Sequence, residues 1–208
     1  MQHTTETANT TNNQSTSRDY IDGYLSDLTR TIDRLDRASL ERFADLIINT
    51  RDQDGTIFVF GNGGSGANAS HFCGDFVKGL SYGDLKRFRA ICLNDNLPAL
   101  MAIANDISYD DIFAEQLRNF VKPGDLVIGL SGSGNSENVV RAFSLASEMG
   151  ATTVALCGFT GGKIKEIADH SVHADIMDME ISEDIHIIIA HVTKRVIMER
   201  LGIPCPYD

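Results

Sequence analysis

Apolar residues fall into two alternating kinds of run along this chain. Short, nearly continuous runs at Ile57–Phe60 (IFVF), Phe88–Leu93 (FRAICL), Asp125–Leu130 (DLVIGL) and Thr152–Cys157 (TTVALC) have the length and continuity of strands buried on both faces. A fifth, Ser171–Ala174, is shorter. Between them, apolar residues recur every third or fourth position, as on a helix with one buried face. Ile21, Tyr24, Leu25, Leu28, Ile32 and Leu35 form one such stripe, and Leu40, Phe43, Ala44, Ile47 and Ile48 a second with Ser39 as its cap. Together they predict a helical hairpin laid over the later sheet, its stripe serving either the core or a contact between subunits. Further helices are predicted after Gly66, over Pro98–Asn105 and Asp111–Phe120, from Ser136 to Met149, over Lys163–Ala168 and over Glu183–Leu201. Pro204 and Pro206 stop the last one. Strands alternating with helices mean an α/β fold: a parallel, doubly wound sheet of five strands flanked by helices, behind an N-terminal helical hairpin.

The first 17 residues do not join this pattern. Thirteen of them are Gln, Asn, Ser or Thr, too little apolar surface to order a segment. The expected division is therefore a disordered polar tail, 1–17, and one domain, 18–208.

Two of the predicted strands run into glycine-rich loops that open helices. Gly61-Asn62-Gly63-Gly64-Ser65-Gly66 follows the first, and Ser131-Gly132-Ser133-Gly134-Asn135-Ser136 follows the third. Glycines let the backbone approach a ligand, and the free N–H groups of a first helical turn attract an anion. In an open parallel sheet both loops lie at the carboxyl edge, where ligands bind. The formal charge of −11 argues against a nucleic-acid partner. It also predicts that a phosphate is held by N–H groups and hydroxyls rather than by cations. Gly61-x-Gly63-x-x-Gly66 matches the dinucleotide fingerprint, but that reading needs an acidic residue at the next strand end about twenty residues on. Position 86 is Lys, and the first candidate is Asp95.

One turn into the first of these helices, His71 and Asp75 stand four residues apart and share a face. They are a metal-ligand pair, an acid–base pair or a helix-surface contact. Near the C-terminus His186 and His191 lie in an apolar run, one of them expected in the core, and Glu183 and Asp184 stand at the predicted helix start, where the dipole favours them. Cys73, Cys92, Cys157 and Cys205 show no C-x-x-C spacing, which fits reduced thiols in a cytoplasmic protein. No apolar run approaches the ~20 residues of a membrane span, and the N-terminus has no basic start or apolar core of a secretory signal.

Four stretches, GNGGSGANASHF, LNDNLPALMAIANDISYDDIFAEQL, GDLVIGLSGSGNSENVVRAF and TVALCGFTGGKIKEIAD, resemble in order and spacing the sugar isomerase (SIS) domain of the sedoheptulose 7-phosphate isomerases, or phosphoheptose isomerases. The match runs from Asp19 to Leu201. The resemblance implies aldose–ketose isomerisation of sedoheptulose 7-phosphate to D-glycero-D-manno-heptose 7-phosphate, on the way to nucleotide-activated heptose. It implies a homotetramer, sites at subunit interfaces and Zn2+. By position, Asn62, Gly63, Gly64, Ser65, Asn94, Asp95, Ser131, Gly132, Ser133 and Ser136 would hold the sugar phosphate, together with Glu183. His71, Asp75, Glu183 and His191 would hold the metal, and Asp75 and His191 would transfer protons. This chain departs from the family pattern in having Asp75 for Glu, Glu183 for Gln, and Lys78-Gly79 where a basic residue is shifted. A non-catalytic phosphosugar-binding protein on the same domain is the competing class.

Overall fold

Two helices precede the sheet, α1 (Ser17–Arg34) and α2 (Arg37–Asp52). The computed structural model describes residues 16–204, so the disorder expected of residues 1–15 lies outside the described residues. Of the last two residues assigned to that tail, Thr16 caps α1 and Ser17 begins it. Thr16 accepts a hydrogen bond from Asp19 N, and the Asp19 carboxylate accepts from Thr16 N, a reciprocal capping box. The α1 stripe divides: Tyr24, Leu28 and Ile32 pack on the core, whereas Tyr20, Ile21 and Leu25 stay exposed. The cap of α2 is Asp36, which accepts from Ala38 N. Ser39 lies inside the helix and spends its hydroxyl on Ser171 O at 2.7 Å, pinning α2 to the far edge of the sheet.

The alternating part follows as β1 (Thr56–Gly61), α3 (Gly63–Gly74), β2 (Arg89–Cys92), α4 (Leu97–Asp106), α5 (Ala114–Arg118), β3 (Leu126–Ser131), α6 (Glu137–Glu148), β4 (Thr152–Cys157), α7 (Gly162–Ile167), β5 (His170–His173) and α8 (Met179–Leu201). The helix predicted over Asp111–Phe120 is instead a 3₁₀ turn at Tyr109–Asp111 and the short α5. Ile112, Phe113, Ala114 and Leu117 all turn into the core there, so packing bends the segment before a longer helix propagates. Helix α8 begins at Met179, capped by Asp178, which accepts from Ile181 N at 2.9 Å. Glu183 and Asp184 consequently lie inside the helix rather than at its start.

All strand pairings are parallel, in the order β2-β1-β3-β4-β5. After β2 the chain crosses back over β1 to form β3 on its other side, so the order reverses between β1 and β3. Both are buried along their whole length. Successive residues point to opposite layers. Ile57, Val59, Ile128 and Leu130 meet α2, α3 and α8, while Phe58, Phe60 and Val127 meet α5, α6 and α7. Buried Asp125 ties the sheet's lower edge, one oxygen accepting from Thr56 N and the other from Lys122 N. Among the described residues no helix is long and apolar enough to cross a membrane.

Candidate active site

The carboxyl ends of β1 and β3, side by side, carry both glycine-rich loops. Asn62 immediately precedes α3 and Asn138 stands in the first turn of α6, and their amides exchange two hydrogen bonds of 2.9 Å. Tyr109 OH donates to Asn62 Oδ1 at 3.1 Å. The two helix starts are thereby locked together. In the second loop Ser131 Oγ accepts from Gly134 N at 3.1 Å and Ser133 Oγ from Asn135 N at 3.2 Å. Asn135 Oδ1 and Gly134 O in turn accept from Lys163 N and Ile164 N, which braces the loop on α7. Between the loops lies a cavity of ≈ 200 Å³. Its walls are Asn62 to Ser65 on one side and Ser131 to Ser133 with Ser136 on the other, closed by Leu130, Met179 and Glu183. Neither Asn62 nor Ser136 uses its side chain to cap its own helix, which leaves first-turn N–H groups available to an anion.

The floor comes from α8, which runs in the same direction as α3. Glu183 Oε1 accepts from Ser65 Oγ at 3.2 Å, and Glu183 O accepts from Asn68 Nδ2 at 2.9 Å. Further along, the same two helices bring His71 against His191 and Asp75 against Lys194. Asp184, on the next position, accepts from Tyr24 OH at 2.6 Å, fixing α1 to α8 and pushing the phenol pKa up to about 12.

At the far end of α3, His71 Nε2 and His191 Nε2 are 3.0 Å apart, so one ring donates and the other accepts. Asp75 Oδ2 lies 3.8 Å from each of these nitrogens. That oxygen is buried and has no hydrogen-bond partner among the described residues. The helix widens there: Asp75 opens a π-turn running to Gly79, closed by Leu80 N on Asp75 O at 2.9 Å, a distortion common at functional sites. The imidazoles are about half exposed, 53% and 52%, against 16% for the Asp75 side chain. Ligand atoms of all three residues fall within 4.8 Å of one another. Two imidazole nitrogens and one carboxylate oxygen are a donor set for a divalent cation with a position left open, and the unpartnered Asp75 oxygen is the feature such an ion would satisfy.

The structure brings Glu183 to the cavity but not to this cluster. Eight residues of helix separate it from His191, about 12 Å, and its carboxylate is occupied with Ser65. Asn94 clamps the loop, its side chain donating to Gly61 O at 2.8 Å and accepting from Gly61 N at 3.2 Å. Asp95 is exposed in the turn after β2. His186 is the core histidine, wholly buried, and burial lowers its pKa to about 4 against a smaller opposing effect of the Cys157 carbonyl. Asn138, Tyr109, Met179 and Lys194 were not singled out by the sequence. Only Asn138, an amide two residues past the serine loop, left a local signal.

Comparison with known proteins agrees with this geometry. Residues 19–158 match the SIS domain family model. A probable phosphoheptose isomerase of Thermoplasma volcanium is 40% identical over 163 residues, covering 78% of this chain and 83% of the relative. The phosphoheptose isomerase of Helicobacter pylori is 35% identical over 165 residues, 79% and 85% of the two chains. Among solved structures, phosphoheptose isomerase GmhA from Neisseria gonorrhoeae superposes with a TM-score of 0.82 at 28% identity, over 88% of this chain and 100% of that one.

Proposed function

The chain belongs to the SIS-domain family, among its phosphoheptose isomerases, and on that footing we infer that it interconverts sedoheptulose 7-phosphate and D-glycero-D-manno-heptose 7-phosphate. The observation that carries the reading is the placement, along one pair of parallel helices, of a hydroxyl- and amide-lined cavity and an Asp–His–His cluster. The serine loop takes the phosphate, in keeping with a chain of charge −11 that offers N–H groups and hydroxyls there. Asn62 to Ser65 and Glu183 take the sugar oxygens.

The chemistry is proton transfer between neighbouring carbons. A base removes a proton from C1 of the ketose, the electrons form a C1–C2 double bond, and the C2 oxygen gains a proton. In the return step C2 takes a proton and the C1 oxygen gives one up, leaving the aldehyde. Asp75 and His191 are the pair assigned to these transfers. Asp75 Oδ2 is the unpartnered oxygen of the cluster, and His191 Nε2 lies beside it. His71, Asp75 and His191 would hold Zn2+, which supplies electrophilic stabilisation of the developing oxyanion when bound. We further assign a homotetramer with cytoplasmic residence. Exposed Tyr20, Ile21 and Leu25 on α1 support the first, and Cys73, Cys92 and Cys157, free and buried, support the second. The product would feed synthesis of nucleotide-activated heptose.

The test is incubation of the protein with sedoheptulose 7-phosphate in D₂O, with and without zinc, followed by NMR. Appearance of the aldose with deuterium at C2 is expected. Binding of the sugar phosphate without product or exchange would transfer the protein to the phosphosugar-binding class.

A further inference from the structure

We propose that Lys194 is a positioning residue for Asp75, holding one carboxylate oxygen so that the other alone faces His71 and His191; this rests on the assignment of that cluster as the reaction centre. Lys194 Nζ donates to Asp75 Oδ1 at 2.5 Å, whereas Oδ2 has no hydrogen-bond partner among the described residues and lies 3.8 Å from both imidazoles. The terminal torsion of an aspartate is broad. Without the ammonium, either oxygen or both could turn to the histidines.

Two features make the pair a built one. The side chains are 25% and 16% exposed, unlike a surface pair such as Arg18 with Asp22 at 88% and 70%. The space for the ammonium exists because residue 79 is glycine. A Cβ there would lie 2.8 Å from both Cε and Nζ of Lys194, and 3.4 Å from Asp75 Oδ1. Gly79 ends the widened turn that Asp75 begins. On α8, Lys194 follows His191 by three residues, so one helix face presents imidazole and ammonium to the same carboxylate. Lys194 does not line the cavity between the loops, so its influence falls on the chemical step and the ligand geometry rather than on substrate binding.

The test uses the full chain and three variants: Lys194→Met, Lys194→Arg and Gly79→Ala. Two readouts are taken, the separate kcat and KM on sedoheptulose 7-phosphate and the visible absorption spectrum of added Co2+. Partners that orient a ligand are worth about 10–100-fold. Lys194→Met should lower kcat by about that factor with KM within about twofold, and should change the cobalt spectrum. Lys194→Arg should restore part of the loss. Gly79→Ala, which displaces only the flexible end of Lys194, should reproduce part of it in a folded protein.

A Lys194→Met enzyme with kcat within about twofold of the parent, or with a loss confined to KM, overturns the proposal. The two readouts also separate it from the functional assignment. If the parent binds cobalt but leaves this sugar untouched, the substrate assignment fails and an unchanged cobalt spectrum in the variant overturns the role of Lys194. If the parent isomerises without taking up cobalt, kcat decides. A parent that does neither sinks both.

Discussion

Glu183 reaches the cavity across the bare backbone of Gly64. A methyl group on residue 64 would collide with Glu183 Oε2 and lie 2.6 Å from its Cδ. Gly64→Ala should therefore push the carboxylate off Ser65 and out of the sugar site while the helix stays formed, because the obstructing atom ends a flexible side chain. Steady-state kinetics should show KM raised by about tenfold, the scale of one lost charged hydrogen bond. An unchanged KM would separate Glu183 from substrate recognition.

Among the described residues Asp75 is the one carboxylate grouped with both imidazoles. Replacing it with Asn keeps the shape and removes the base, and kcat should fall by at least about 100-fold. Circular dichroism should match the parent. Retention of most turnover would falsify its role in proton transfer.

Metal should register in stability as well as rate. Dialysis against a chelator is expected to lower turnover, with zinc restoring it. Zinc at about 100 times its Kd should raise Tm by about 5–10 °C. His71→Ala and His191→Ala should abolish that rise. Glu183→Gln should keep it, since the Glu183 carboxylate bonds Ser65 outside the cluster; loss of the zinc-induced rise in that variant would return Glu183 to the ligand set.

His186 predicts a pH dependence of folding. Burial depresses its pKa from 6.5 to about 4. Between these values the unfolded chain binds a proton that the folded chain refuses, so stability is full above pH ~6.5 and falls as pH drops toward ~4. The loss reaches on the order of 3 kcal/mol at the acid end. Neither ring nitrogen has a hydrogen-bond partner among the described residues, so His186→Leu should cost little at neutral pH and flatten the slope. Urea titrations at pH 5 and 7.5 check this. Parallel pH slopes for parent and variant would exclude His186 as the cause.

Both glycine-rich runs were legible as helix-opening segments at the sheet edge because each follows a strand buried on both faces, but the first was read as loop too far: Gly63 to Gly66 already form the first turn of α3. His71 and Asp75 were readable as a pair because four residues of helix put them on one side. Joining them to His191 required the family resemblance, since nothing local relates residues 120 positions apart. The bond from Lys194 to Asp75 spans 119 and depends on α3 and α8 running parallel, which no periodicity encodes. The π-turn at Asp75 was likewise invisible, because a single wide turn hardly disturbs apolar spacing. Asp111–Phe120 misled for the opposite reason: Ile112, Phe113 and Leu117 fit helical spacing, yet the first two serve the core from the link between a 3₁₀ turn and α5, and only Leu117 from a helix.

The parallel pairing of α3 with α8 also sets a schedule. A ribosome lays down both glycine-rich runs, and with them the proposed phosphate cradle, well before it reaches Glu183, His191 and Lys194. A nascent chain halted after β5 has both glycine-rich runs, His71 and Asp75, but none of the α8 residues that face them. The Asp–His–His cluster is therefore completed only by the closing helix, and on the proposed assignment the reaction centre is the last part of the site to be made.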